Sequence, residues 1–148
     1  MTDSYSNIRP LQKTDYQKHY LQLLQTLSTI DPGLISSIQF NQFVQGLDKS
    51  HNIFVIEDHS KKKIIASITV LIEPKLIHNL SNVAHIEDVV VAKEYQKKGL
   101  GQKLVDYAVS YAQKKACYKT ILHCDSAKTT FYQKFGFSPK SVGMAKYL

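Results

Sequence analysis

The chain has 148 residues, with 19 Lys and Arg against 12 Asp and Glu and a formal charge of +7. That length suits a single domain, 1–148, able to bury its own core. The two cysteines, Cys117 and Cys124, have no further Cys/His pair at zinc spacing, which excludes a disulfide scaffold and a zinc finger and predicts reduced thiols and no bound metal. No apolar run is long enough to span a membrane, and the polar start over 1–7 leads us to expect neither a signal peptide nor an anchor, hence a soluble, cytoplasmic protein.

In chain order, Ile8-Arg9-Pro10-Leu11 reads as a short first strand. Tyr16, Tyr20, Leu23, Leu24 and Leu27 recur at the spacing of one helix face and predict a helix over 14–29, broken by Asp31-Pro32-Gly33. A second, weaker helix is expected over 35–46. The runs 53–57 and 64–72 predict two strands joined as a hairpin by the polar turn 58–63. A strand over 83–91, a helix over 101–116, a strand over 120–124, a short helix over 129–135 ended by Gly136 and a last strand over 142–148 complete a mixed α/β order around one sheet. There is no internal repeat, linker or low-complexity segment.

The stretch Gln96-Lys97-Lys98-Gly99-Leu100-Gly101-Gln102-Lys103 joins the strand 83–91 to the helix that follows. Two glycines remove side chains that would keep an oxygen from the backbone. The first-turn N–H groups of the next helix lack intrahelical partners, and its dipole favours an anion there. The same pattern also serves as a plain tight turn with solvated lysines. It has neither the Gly-Lys-Ser/Thr ending of a nucleotide P-loop nor the third glycine of a dinucleotide fingerprint.

In the strand 83–91, a period of two puts His85, Glu87, Val89 and Val91 on one face and Ala84, Ile86, Asp88 and Val90 on the other. Polar groups so placed in a central strand are costly unless paired. They form either a buried salt bridge or a site at which the sheet opens.

A strand, then Gln-x-x-Gly-x-Gly opening a helix, then a strand followed by Phe131-Tyr132-Gln133-Lys134-Phe135-Gly136-Phe137 resembles the GNAT superfamily of acetyl-CoA-dependent N-acetyltransferases. The blocks Glu73-Pro74-Lys75-Leu76-Ile77-His78, His85-Ile86-Glu87-Asp88-Val89, Cys117-Tyr118-Lys119 and Cys124-Asp125 are similar to the glucosamine-6-phosphate N-acetyltransferase family within it. The similarity runs from about residue 53 to the C-terminus and more faintly over 8–28. It implies the GNAT fold: a central mixed, mostly antiparallel sheet, splayed where acetyl-CoA enters and flanked by helices. It also implies transfer of an acetyl group to glucosamine 6-phosphate, a step of amino-sugar and UDP-N-acetylglucosamine synthesis, in a homodimer with sites near the interface and with no metal.

The resemblance assigns roles to residues. The cofactor site comprises Val89, Val90 and Val91, with Val89 and Val91 pairing with the pantetheine arm. Gln96, Lys97, Lys98, Gly99, Leu100 and Gly101 hold the pyrophosphate, and Tyr132 and Lys134 complete that site. Catalysis falls to the Val89 N–H as oxyanion donor, Glu87 to orient or deprotonate the amine, and Tyr132 as acid for the leaving thiolate, with Phe131 and Phe135 facing the core while Tyr132 points elsewhere. Substrate contacts are expected from Ser28, Lys75, His78, Glu87, Asp88, Tyr118, Lys119 and His123. This chain departs from the family pattern at His123, where an aspartate is usual and an imidazole could itself accept a proton, at Lys128, where an asparagine is usual, and at Lys146 or Tyr147, where an arginine is usual.

Two other readings compete. Another GNAT enzyme would acetylate a polyamine, an aminoglycoside or a protein amine, but the positive charge of the chain disfavours a cationic acceptor. A non-catalytic acyl-CoA-binding or nucleic-acid-binding module has no use for Glu87 and Tyr132. The lysines are moreover scattered rather than gathered on one helix, so no nucleic-acid partner is expected.

Overall fold

A computed structural model describes residues 7–148; all but the last residue of the polar start 1–7 lies outside the described residues. Five strands, β1 (Ile8–Pro10), β2 (His51–Asp58), β3 (Lys63–Pro74), β4 (Asn82–Val91) and β5 (Cys117–Leu122), form one sheet in the order β1-β2-β3-β4-β5. The first four are mutually antiparallel and β5 joins β4 in parallel, as it must after a crossover helix. Among the described residues no helix is long and apolar enough to cross a membrane.

The helices are α1 (Tyr20–Leu24), α2 (Ser37–Gly46), the single turn α3 (Ile77–Leu80), α4 (Leu100–Lys114) and α5 (Thr129–Gln133). Cross-strand partners share a face, so Phe54 and its partner Ile68 point one way, and Val55 and Ser67 point the other. The Phe54 ring packs on Tyr107 and Tyr111 of α4, whereas the Tyr20 hydroxyl of α1 lies 3.3 Å from Ser67 Oγ. Helices α1 and α4 therefore cover opposite faces, and Phe40 of α2 packs edge-on to Tyr20 beside α1. Two covered faces explain why β2 and β3 read as continuous apolar runs, with Phe54, Val55, Ile56, Ile64, Ile65 and Ala66 all buried. The α4 stripe Leu100, Leu104, Ala108 and Ala112 repeats every four residues, and its alanines let the helix sit close to the sheet.

The hairpin and the central elements follow the expected order, with boundaries moved by one to three residues. Three expectations are corrected. The helix expected over 14–29 is a 3-10 segment, Lys13–Lys18, and then α1, with His19 between them at φ +59°. Its Asp15 is drawn out of a helical surface role into a buried ion network. Arg9 donates to both Asp15 oxygens at 2.8 Å and to Glu57 at 2.7 Å, and Lys18 reaches Glu57 at 2.8 Å. The strand expected over 120–124 begins earlier, at Cys117, and ends at Leu122. The strand expected over 142–148 does not form: residues 138–148 make no ladder with this chain's sheet, and Val142, Met144, Tyr147 and Leu148 lie exposed. Apolar alternation alone makes no strand without a neighbouring edge to pair with.

The ion network pins the N-terminal segment to β2. Burial alone would raise the Glu57 carboxyl, yet the hydrogen bonds from Lys18 and Arg9 hold it below its usual range. Asp15→Ala leaves Arg9 without its two-pronged partner beneath α1 and is expected to cost about 3 kcal/mol, read as a lower midpoint in urea denaturation.

Candidate active site

The site is built where β4 stops behaving as an ordinary strand. Ser67 faces Val90 and Thr69 faces Glu87, so Ile68 is opposed by two residues, Asp88 and Val89, and β4 carries a bulge. Asp88 sits there at φ +50° and is exposed. A one-residue insertion exchanges the faces of everything beyond it. His85 and Glu87 lie on the α1 face with Leu71 and Thr69, whereas Val91 pairs with Ala66 on the α4 face and Val90 joins Ser67 on the α1 face. The expected grouping of His85, Glu87, Val89 and Val91 on one face is thus corrected, as is the placing of Asp88 with Ala84 and Ile86. A strict period of two cannot anticipate a bulge.

Pairing between β4 and β5 ends at Ile86 and Leu122, although β4 runs on to Val91. From Glu87 to Val91 the edge towards β5 is open. Glu87 and His123 are the next residues on the two diverging strands, so both stand at the mouth of this gap. Among the described residues the half-buried Glu87 carboxylate makes no hydrogen bond or ion pair.

At the far end of β4 lies the glycine loop. Gln96 donates its side-chain amide to the Val91 carbonyl at 3.2 Å, and Lys97 and Gly99 adopt φ +62° and +78°. Gly99 is the N-cap of α4, so successive N–H groups and the helix N-terminus shape a concavity whose polarity suits an anion. A Cβ on Gly99 would meet no protein atom within 4 Å; its constraint is the backbone angle, worth about 1 kcal/mol, together with the space it leaves open. A Cβ on Gly101 would touch Phe131 at 3.4 Å and Val91 at 3.9 Å, ordinary contacts, so the protein itself does not forbid a side chain there. Lys97 and Lys98 are exposed beside Gly99.

Tyr132 of α5 is buried, edge-on to Phe131 and Phe137. Burial, and secondarily the nearby Cys124, push its phenol pKa up, so it remains a proton donor at neutral pH. The expected division within this segment is corrected at two positions: Tyr132 faces inward, while Phe131 is exposed and lies over Gly101; Phe135 is half-buried against Phe131. Lys134, the C-cap residue just after this helix, is exposed.

At the near end of β4 a polar cluster forms on the α1 face. Glu73 accepts from Lys75 Nζ and from His85 Nε2, the latter at 2.8 Å, and Lys75, then His85, hold its carboxyl below the usual range. Lys119 pairs with Val83 and so shares the face of His85 and Glu87. The His78 ring stacks on Tyr118 at 4.1 Å, and Lys119 lies over the same ring at 5.3 Å. His78, Asn79 and Leu80 all have positive φ, making α3 a left-handed turn. Ser28 lies in the exposed turn after α1, with its own N–H bonded to the Leu24 carbonyl. His123 is exposed, yet its ring would come within 2.9 Å of any Cβ at Gly143, so the tail passes against the imidazole.

Two contributors escaped the sequence reading. Glu73 bridges Lys75 and His85, a role foreshadowed only by its i,i+2 spacing to Lys75. Tyr20 reaches Ser67 beneath the bulge, and burial, countered by Ser67 and reinforced by the Asp88 charge, pushes its phenol pKa up to about 12. Nothing in the local sequence of Tyr20 distinguishes it from a packing aromatic. Among the described residues no group of His, Cys, Asp or Glu is arranged to hold a metal ion.

A family profile described as Acetyltransferase (GNAT) family matches residues 8–137. Glucosamine 6-phosphate N-acetyltransferase of Arabidopsis thaliana is 36% identical over 143 residues, covering 95% of each chain. The enzyme of the same name from Candida albicans is 37% identical over 139 residues, covering 92% of this chain and 91% of its own. The crystal structure of the Arabidopsis enzyme superposes with a TM-score of 0.90 at 35% identity, over 95% of this chain and 97% of that one. A Trypanosoma brucei acetyltransferase gives 0.89 at 29% identity, over 96% and 99%. In the glycine loop, valine at both Gly99 and Gly101 is expected to weaken CoA binding at least tenfold by calorimetry while the protein stays folded. Unchanged affinity would remove the loop from the phosphate site.

Proposed function

The chain belongs to the GNAT acetyltransferase family, and from that premise we propose that it transfers the acetyl group of acetyl-CoA to the 2-amino group of D-glucosamine 6-phosphate, giving N-acetyl-D-glucosamine 6-phosphate. The observation that carries this reading is the open edge of β4, with an anion-binding loop at one end and a lysine- and histidine-lined polar face at the other. The relatives that bear the name of this reaction match nearly the whole chain.

When bound, acetyl-CoA supplies an activated acyl carbon as a thioester. Backbone groups of Val89 and Val91 at the open edge hold the pantetheine arm beside Val90, and Gln96 to Gly101 with Lys97 and Lys98 receive the pyrophosphate. The open space at Gly99 suits that ligand. The Val89 N–H stabilises negative charge growing on the acyl oxygen, a kind of donor whose loss typically costs about 3 kcal/mol. Glu87, uncommitted at the mouth of the gap, orients the amine and takes its proton directly or through water. His123, seated against Gly143, faces the same mouth and shares this duty where the family has a carboxylate. Tyr132 gives its proton to the leaving sulfur, and Lys134 lies at the edge of the cofactor site. Lys75, His78, Asp88, Tyr118 and Lys119 contact the phosphosugar, with Ser28 beside its phosphate.

A second copy of the chain completes the surface. Leu76, Ile77 and Leu80 are exposed beside the His78–Tyr118 stack, and the tail exposes Val142, Met144, Tyr147 and Leu148. Apolar groups in that number favour a homodimer with its sites near the interface. We read the protein as cytoplasmic, with two free thiols and small-molecule partners rather than nucleic acid or membrane.

A site built around a phosphate leaves cationic groups unpaired when that phosphate is missing. A thiol-release assay with acetyl-CoA should therefore show kcat/KM for glucosamine 6-phosphate far above those for glucosamine and spermidine; equal turnover of the two sugars would refute the assignment. Tyr132→Phe keeps the ring and removes one hydroxyl, so turnover should fall by about 10²-fold or more with acetyl-CoA affinity and Tm nearly unchanged. A fully active variant would return Tyr132 to a packing role.

A further inference from the structure

The mechanism leaves unused a buried contact behind the phosphate loop. Tyr95 ends the 3-10 turn Lys93–Tyr95, immediately before Gln96, and donates its hydroxyl to Asp58 Oδ2 at 2.5 Å. Each of the two residues is only 3% exposed. The other Asp58 oxygen accepts from the Ser60 hydroxyl at 2.6 Å, the Ser60 N–H at 3.0 Å and the Lys61 N–H at 3.2 Å. One carboxylate thus closes the turn between β2 and β3 and grips the residue that launches the loop. The Ser60 hydroxyl, then the Tyr95 hydroxyl, hold its pKa down to about 2, so the acceptor stays ionised over the working range. The same two segments are joined by the Lys63–Glu94 ion pair at 2.7 Å and by the Ala92 N–H on the Ile65 carbonyl at 2.8 Å.

This contact sits where the loop needs it. Residues 96–98 precede α4 and are not held by its ladder, yet Lys97 keeps a positive φ that a non-glycine residue adopts only when its surroundings impose it. The Tyr95 ring also carries two ammonium groups, Lys61 Nζ at 5.1 Å and Lys98 Nζ at 5.0 Å from its centroid, one from each segment. Fixing the ring gathers both cations at the margin of the loop, next to the concavity formed by Lys97 and Gly99.

We propose that Tyr95, clasped by Asp58, is the positioning residue of the phosphate loop, and that this clasp sets the affinity for acetyl-CoA rather than the rate of acetyl transfer. The proposal rests on the acetyltransferase reading. The loop is held ready before the ligand arrives, so binding does not bear the cost of ordering it.

Tyr95→Phe tests this, because it keeps the ring and removes only the hydroxyl, with its hydrogen bonds to Asp58 and Lys61. Loss of a hydrogen bond to a charged acceptor predicts about a tenfold rise in the KM for acetyl-CoA and in the Kd for CoA by calorimetry. The kcat at saturating acetyl-CoA and the KM for the amino sugar should stay within about twofold. Asp58→Asn, which retains a carbonyl acceptor, should move the same two constants in the same direction by a smaller factor. Unchanged CoA affinity in a folded Tyr95→Phe protein would overturn the proposal. So would a parallel fall of kcat and of the affinities for both substrates, since that pattern marks a merely structural residue. If CoA binding depends on Tyr95 while no amine is acetylated, the positioning role stands and the substrate reading falls; if the unsubstituted protein binds no CoA, both fall.

Discussion

One extra residue in β4 governs the rest of the site. The bulge at Asp88 costs about 1 kcal/mol of backbone strain and does two things at once. It turns the strand so that Glu87 and Val91 belong to opposite faces, and it accompanies the loss of pairing with β5 beyond Ile86. Backbone groups on an open edge must be satisfied by water or by a ligand carrying amides of its own. A parallel sheet that stayed zipped to Val91 would have no such edge and no room beside Glu87.

The length of β4 sets the reach of the site. From His85 to Val91 is six residues, roughly 20 Å at about 3.3 Å per residue, so the polar cluster and the anion-binding loop stand at two ends of one extended track. Each end has its own internal organisation. At the near end Glu73 holds Lys75 and His85 in place, and the His78–Tyr118 stack is presented by a left-handed turn. At the far end the loop hangs between Gln96 on the Val91 carbonyl and the first turn of α4. Positive side chains stand at both ends, Lys75 and Lys119 at one and Lys97 and Lys98 at the other.

His123 has a close physical neighbour in the C-terminal tail. A Cβ at Gly143 would lie 2.9 Å from the His123 ring, so a side chain there would require the exposed imidazole to shift. The two positions are coupled by space alone. Among the described residues the tail draws little support from this chain's own fold, since its apolar side chains face solvent and its backbone joins no ladder.

Much of this organisation was legible in the residue order. The hairpin was readable because a polar turn separates two β-branched runs, the glycine loop because Gly99 and Gly101 open an amphipathic helix, and the family because those motifs recur with the His85–Val89 and Phe131–Phe137 blocks. What the residues by themselves determined is the local chemistry: which segments favour strand or helix, where glycine permits a positive φ, and which side chains can carry charge or a proton. Tertiary structure alone decided which faces those side chains occupy. The bulge, the inward turn of Tyr132, the break at His19 imposed around the Arg9–Asp15–Glu57 network, and the unpaired tail each depend on contacts between residues far apart in the chain, and periodicity carries no information about a partner that the fold has yet to bring alongside.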